Sequence, residues 1–169
     1  MVTLRPLALT DASAIADAVA QSHDALRRWM PWYDDHYDIE TARSWIETSL
    51  VATANGQAAH FVVLAHDQSV VGIVSLEDMS KQTARAMLGY WLATPATGQG
   101  IGRQAIALAL DWARGHTGVR VVWAVVADGN GPSRRVLELN RFRLVGSRGL
   151  DERSDNALLY ELDLRPAAA

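Results

Sequence analysis

Leu88-Gly89-Tyr90-Trp91-Leu92 and, after a short interval, Gly98-Gln99-Gly100-Ile101-Gly102 form the stretch on which the fold turns. The first part reads as a strand. The second is a glycine loop opening a helix whose apolar face includes Ile101, Ala105, Leu108, Ala109 and Trp112. Several backbone N–H groups of such a loop point at one place near a positive helix end, which suits an anion. Glycine fits there because the absent Cβ lets a pyrophosphate approach the backbone closely. Two close glycines more often simply make a turn, so their context has to decide. No Gly-Lys-Ser/Thr follows, which argues against a nucleotide P-loop. The loop also follows a hairpin series instead of opening a βαβ unit, and it lacks the third glycine and later acidic residue of a dinucleotide site.

Outward from this stretch, residues 60–66 and 70–77 are β-branched-rich runs joined by the short loop Asp67-Gln68-Ser69, and residues 86–92 supply the next strand. Residues 2–7 alternate as a strand. Thr10-Asp11 then offers N-cap oxygens to a helix through Ile15, Ala18, Val19, Leu26 and Trp29, which Met30-Pro31 interrupts. A second helix starts after Asp38 and runs through Trp45, Ile46 and Leu50 to Asn55-Gly56. Beyond the helix that ends near Gly115, residues 119–126 form a continuous apolar run suited to a buried strand. Asp128-Gly129-Asn130-Gly131-Pro132 turns into a helix through Val136 and Leu137, and residues 143–149 and 157–164 are closing strands. The expected fold is α+β, a mixed central sheet of about seven strands flanked by about four helices. One domain over residues 1–165 accounts for a chain of 169 residues, leaving 166–169 as a short alanine-ended tail.

Composition narrows the function. The net charge is −3, so no basic excess exists to bind a nucleic-acid backbone, and nucleic acid is not an expected partner. No cysteine is present, which removes disulfides, thiolate metal sites and a cysteine nucleophile. His23, His36, His60, His66 and His116 show no metal-ligand spacing, and no metal is assigned. The N-terminus has no signal-peptide pattern and no apolar run is long enough to span a bilayer; the expectation is a cytoplasmic protein without a membrane partner.

Together these motifs resemble the GNAT acetyltransferases, and within them the Rim-type ribosomal-protein N-terminal acetyltransferases. The resemblance rests on Leu88–Leu92 with Thr97-Gly98-Gln99-Gly100-Ile101-Gly102, and on Val125-Val126-Ala127-Asp128-Gly129-Asn130-Gly131-Pro132-Ser133-Arg134-Arg135-Val136-Leu137-Glu138. Leu4-Arg5-Pro6-Leu7 and Val71-Gly72-Ile73-Val74-Ser75-Leu76 extend it to nearly the whole chain. Two positions depart from the pattern: Thr97 stands where relatives carry a basic residue or Gln, and Arg141 where most carry glycine.

The resemblance implies a splayed strand pair whose gap receives acetyl-CoA as acetyl donor. The amides of Gln99, Gly100, Ile101 and Gly102 would meet the pyrophosphate, and the backbone N–H near Leu92 would donate to the thioester carbonyl. It further implies that Asn130 reaches the pantetheine, that Ser133 protonates the departing thiolate, and that a homodimer forms. Arg134 and Arg135 either touch the CoA phosphates or are exposed first-turn residues. Without a cysteine to carry the acyl group, direct attack by the acceptor amine in a ternary complex is the natural route. Glu77 and Glu152 are the alternative general bases, each also readable as a plain surface charge. Trp29, Trp32 and Tyr33 line the acceptor pocket or are simply core. The acidic group Asp34, Asp35, Asp38 and Glu40 attracts a cationic amine or is a solvated loop with a helix cap. A protein N-terminal α-amine is the favoured acceptor. A small-molecule amine remains the alternative within the same chemistry, and a non-catalytic acyl-CoA sensor the alternative outside it.

Overall fold

The run Ala-His-Phe-Val-Val-Leu at residues 59–64 is buried at every position, the mark of a strand covered on both faces. The computed structural model describes residues 1–148 and 157–165. Its strands are β1 (Thr3–Pro6), β2 (Ala59–Leu64), β3 (Val70–Ser80), β4 (Arg85–Leu92), β5 (Val121–Ala127), β6 (Arg143–Arg148) and β7 (Ala157–Asp163). The helices are α1 (Ala12–Ala20), α2 (His23–Trp29), α3 (Ile39–Ala54), α4 (Ile101–His116) and α5 (Gly131–Leu139). All seven strands join one mixed sheet in the order β1-β2-β3-β4-β5-β7-β6. One face packs on α4 and α5 through Val63, Val74, Ile106, Leu110 and Leu137, and the other on α1 to α3 through Ile15, Leu26, Ile46, Val62 and Ile73. The strand-and-helix order expected from the pattern is the observed one, with five α-helices instead of about four.

The extra helix comes from a break at Ser22. Its hydroxyl donates to the Ala18 carbonyl at 2.7 Å and accepts the backbone N–H of Thr94 at 2.9 Å, so the turn between α1 and α2 is fixed by a partner far away in the chain. Asp38 caps α3 by accepting from the Thr41 N–H at 2.8 Å, as its position before the apolar run suggested.

The sheet's decisive feature is the parallel contact of β4 with β5. It pairs Arg85 with Val121, Ala86 with Val122 and Met87 with Trp123, and then the strands part. Each keeps its outer neighbour past that point: β4 remains on β3 as far as Leu92 opposite Gly72, and β5 remains on β7 as far as Ala127 opposite Ala157. The edge of the gap is held by close backbone approach, since a Cβ on Gly72 would lie 2.2 Å from the Trp91 carbonyl oxygen. Among the described residues no helix is long and apolar enough to cross a membrane. Glu152 and the tail 166–169 lie outside the described residues.

Ser22 is 2% exposed. Ser22→Ala would leave the Thr94 N–H without its acceptor, an expected loss of about 1–3 kcal/mol. Urea unfolding should show a lower midpoint with an unchanged slope.

Candidate active site

The parted strands enclose a cleft of about 490 Å³ that passes through the sheet. Strand alternation gives it two chemically different sides. Leu88, Tyr90 and Leu92 pack toward α4 and α5, whereas Trp91 packs toward α1 to α3. Gly89 also faces the second side, opposite Ser75.

On the α5 side, Asn130 caps the helix by accepting the Ser133 N–H at 3.2 Å, which fixes the first turn beside the cleft. Both residues line the cleft. The Tyr90 hydroxyl donates to Ser133 Oγ at 3.1 Å. Burial raises the Tyr90 pKa, against a smaller lowering by Ser133, so the phenol stays protonated and remains a donor. Sequence reasoning took Tyr90 only as a strand residue and missed this contact; the adjacency of a strand tyrosine to Ser133 appears only once α5 is packed on β4.

The direction of the β4 amides follows from the ladder. The Ala93 N–H donates to the Val71 carbonyl, and Gly72 stands opposite Leu92. In an antiparallel ladder the bonded and non-bonded pairs alternate, so the N–H groups of Leu88, Tyr90 and Leu92 point away from β3, the first at the last rung with β5 and the other two into the gap. The glycine loop follows β4 through the 3₁₀ turn Thr94–Ala96. Gly98 and Gly100 have φ of 74° and 75°, the left-handed region that glycine enters without strain, and Gly100 is the N-cap of α4. This starts a 16-residue helix directly after Gln99, whose side chain donates to the Pro95 carbonyl at 2.8 Å, and leaves the helix N-terminus without a side-chain cap. Gly102 packs inward, where a Cβ would meet Leu92 and Tyr90 side chains at 3.4 and 3.6 Å.

The two arginines of α5 are placed differently. Arg134 donates to Asp128 and to the Tyr160 hydroxyl, whereas Arg135 is an exposed side chain, 4.0 Å from Glu138.

On the other side, Glu77 lines the cleft together with Ser75, Trp45, Tyr37, Trp32 and Trp29. Ser75 Oγ donates to Glu77 Oε1 at 2.7 Å, and a Cβ on Gly89 would lie 3.0 Å from that Oγ, so glycine leaves room for the serine–carboxylate pair. Behind Glu77 is the buried His60, with Nε2 3.7 Å from Oε1. Burial lowers the His60 pKa and Glu77 opposes that lowering. His60 is a second group that sequence reasoning passed over, because it weighed the histidines only for metal-ligand spacing. Among the described residues no cluster of ligating side chains suits a metal ion.

Tyr33 is not among the lining residues; its hydroxyl bonds to His23 Nδ1, and Tyr37 and Trp45 take the place expected of it. Trp32 is 44% exposed and packs on Trp91 with ring centroids 6.0 Å apart. The acidic residues nearby have local partners: Asp34 accepts the His36 N–H, Asp35 pairs with Arg27, and Asp38 caps α3.

Burial at the cleft wall pushes Tyr37 up to about 12 from 10.0. The folded state therefore keeps a proton that the unfolded chain loses, so this group's contribution to stability is intact below pH 10 and is lost as pH rises toward 12. Absorbance titration should show a late-ionising phenol that Tyr37→Phe removes, and the variant's stability should fall less steeply across that window.

The acetyltransferase (GNAT) domain family matches residues 1–143. The Bacillus subtilis (strain 168) protein named "Putative ribosomal N-acetyltransferase YdaF" is 29% identical over 140 residues, covering 81% of this chain and 75% of that protein. Among solved structures, Mycobacterium smegmatis RimJ in complex with CoA-disulfide superposes with a TM-score of 0.87 at 26% identity, covering 96% of this chain and 81% of that one. The ribosomal-protein-S5-alanine acetyltransferase of Vibrio fischeri shares the fold at 20% identity, with a TM-score of 0.88 and coverage of 98% and 96%. The match over residues 1–143, most of the chain, makes this chain a member of the GNAT acetyltransferase family.

Proposed function

We propose that the protein transfers an acetyl group from acetyl-CoA to a primary amine, with a protein or peptide N-terminal α-amine as the acceptor. One observation carries the reading: the cleft runs through the sheet, so that Ser133 with Tyr90 on one side and Glu77 with Ser75 on the other face a single gap. A donor lying between β4 and β5 has its thioester beside the gap-facing amides, and an acceptor entering past Trp32 and Tyr37 arrives at a carboxylate.

In this mechanism the neutral amine attacks the thioester carbonyl carbon, and the Leu92 N–H donates to the developing oxyanion. Glu77 takes the proton from the nitrogen. The carbon–sulfur bond breaks and Ser133 protonates the thiolate, drawing in turn on the Tyr90 hydroxyl. The pyrophosphate meets the amides of Gln99 to Gly102, and Asn130 meets the pantetheine arm. Arg135, exposed on α5, contributes a mobile charge to the CoA phosphates.

Acceptor choice follows from proton affinity. An α-amine with a pKa of about 7.7–8.0 is roughly a tenth neutral at pH 7, whereas a lysine amine near 10.4 is neutral about once in 2,500 molecules. A single carboxylate is enough for the first. The relatives named for ribosomal acetylation point the same way. A cytoplasmic location and a homodimer accompany this reading.

Thiol release from acetyl-CoA should appear with short peptides bearing free N-termini and not with N-terminally blocked lysine peptides. Release with polyamines or amino acids alone would move the acceptor to small molecules, and acetyl-CoA binding without any release would overturn catalysis. Glu77→Gln is expected to lower kcat on the order of 10²-fold, and Ser133→Ala by a similar factor, with acetyl-CoA binding largely kept in both.

A further inference from the structure

We propose that His60 is a positioning residue behind Glu77 that shares the acceptor amine's proton with it, making the pair a one-proton site. The inference rests on the acetyl-transfer reading for the source of that proton, and on the hydrogen-bond network for the pair itself. Thr53 Oγ1 donates its only hydrogen to the Ser49 carbonyl at 2.9 Å. The same oxygen lies 3.3 Å from His60 Nδ1, so in that contact it can only accept. With the Thr53 hydrogen committed to Ser49, the neutral ring carries its hydrogen on Nδ1, and Nε2 presents a lone pair.

That lone pair faces Glu77 Oε1 at 3.7 Å. Two acceptors are thus set against each other, the imidazole buried at 7% exposure and the Glu77 side chain 40% exposed toward the cleft, and a proton between them relieves the mismatch on the buried ring. Ser75 holds the same carboxylate oxygen from the side, and the Trp45 ring meets the imidazole edge-to-face at 5.8 Å, which fixes the ring plane. Register explains the placement: His60 on β2 stands opposite Ser75 on β3, two residues before Glu77 on the same face.

Glu77 is the charged group at the ring. Lys81 after β3 and His116 at the end of α4 line the groove on its far side, and α3 offers the uncharged Trp45, Ser49 and Thr53. The proton balance is simple. The amine N–H bond breaks as an Oε–H bond forms on Glu77. That proton passes to His60 Nε2, leaving an imidazolium beside a regenerated carboxylate, and it returns to solvent when product departs. The pair therefore offers the acceptor's proton a second position behind the carboxylate, held within hydrogen-bonded surroundings.

Ring NMR and kinetics test the two halves separately. In the wild-type protein the His60 signals, assigned by their loss in His60→Gln, should report a neutral ring protonated at Nδ1, with a titration midpoint that falls in Glu77→Gln. An Nε2–H ring, or a midpoint indifferent to Glu77→Gln, overturns the pairing. With a peptide acceptor, His60→Gln should lower kcat roughly tenfold, leave KM for acetyl-CoA unchanged and move the acid limb of kcat/KM to lower pH. An unchanged pH profile overturns the proton sharing. If His60→Gln fails to fold, Thr53→Val, which frees the Nδ1–H, should move the limb in the same direction by less, and an unmoved limb counts against the proposal. A wild-type protein that releases no thiol with any amine defeats the acetyl-transfer reading and the proton's source with it, while the ring titration still decides the His60–Glu77 pair.

Discussion

After Met87 and Trp123, β4 and β5 separate, and the placement of every functional group depends on that separation. Parallel strands that follow one another in a sheet normally stay bonded along their length, so something must hold these two apart. The outer partners do: β4 keeps its ladder with β3 while β5 keeps its ladder with β7. The Gly72 backbone lies so close to Trp91 that no other residue fits there without movement, which ties the far end of β4 to β3 where it would otherwise drift back toward β5. The amides of Tyr90 and Leu92, beyond the last rung with β5, are then turned to the gap with no strand to take them. Backbone donors of that kind need partners, and in the proposed function an acyl thioester with its pantetheine amides would supply them.

Alternation along β4 turns this single defect into a two-sided site. Tyr90 reaches Ser133 on the α5 side, and its neighbours Gly89 and Trp91 belong to the face that carries Glu77 and the aromatic wall. In the proposed function, donor chemistry and acceptor chemistry thus come from adjacent residues of one strand, and their separation is set by the thickness of a sheet. The Tyr37 phenol, which burial keeps neutral, belongs to the acceptor wall and adds no charge to it.

Much of this was legible in the sequence because it is local. The period-two runs, the glycine loop before an amphipathic helix and the Asp38 cap are encoded within a few residues of where they act, and they yielded all seven strands in order. The features that stayed hidden depend on distant partners. The break at Ser22 needs Thr94, and the contact of Tyr90 with Ser133 needs α5 folded onto β4. The replacement of Tyr33 by Tyr37 depends on how the α2–α3 connection lies over the sheet, where His23 draws the Tyr33 hydroxyl aside. His60 shows the limit most clearly. Nothing within its own strand marks it, and its meaning comes from the β2–β3 register that brings it to Glu77.

The charge pattern on the Glu77 side of the cleft bears on the proposed acceptor, an amine that reacts in its neutral form. A cluster of carboxylates in the cleft would hold the acceptor as ammonium, since a nearby opposite charge favours the charged form, and would raise the cost of the very deprotonation that attack requires. The acidic residues of the α2–α3 connection do not do this, because Arg27, the His36 amide and the α3 N-terminus engage them locally. Glu77 is the single acidic or basic side chain among the described cleft-lining residues, set in a wall of tryptophan, tyrosine and methionine. One carboxylate in such surroundings is enough to accept a proton and too little to trap a cation. That balance suits an α-amine better than the more basic amine of lysine.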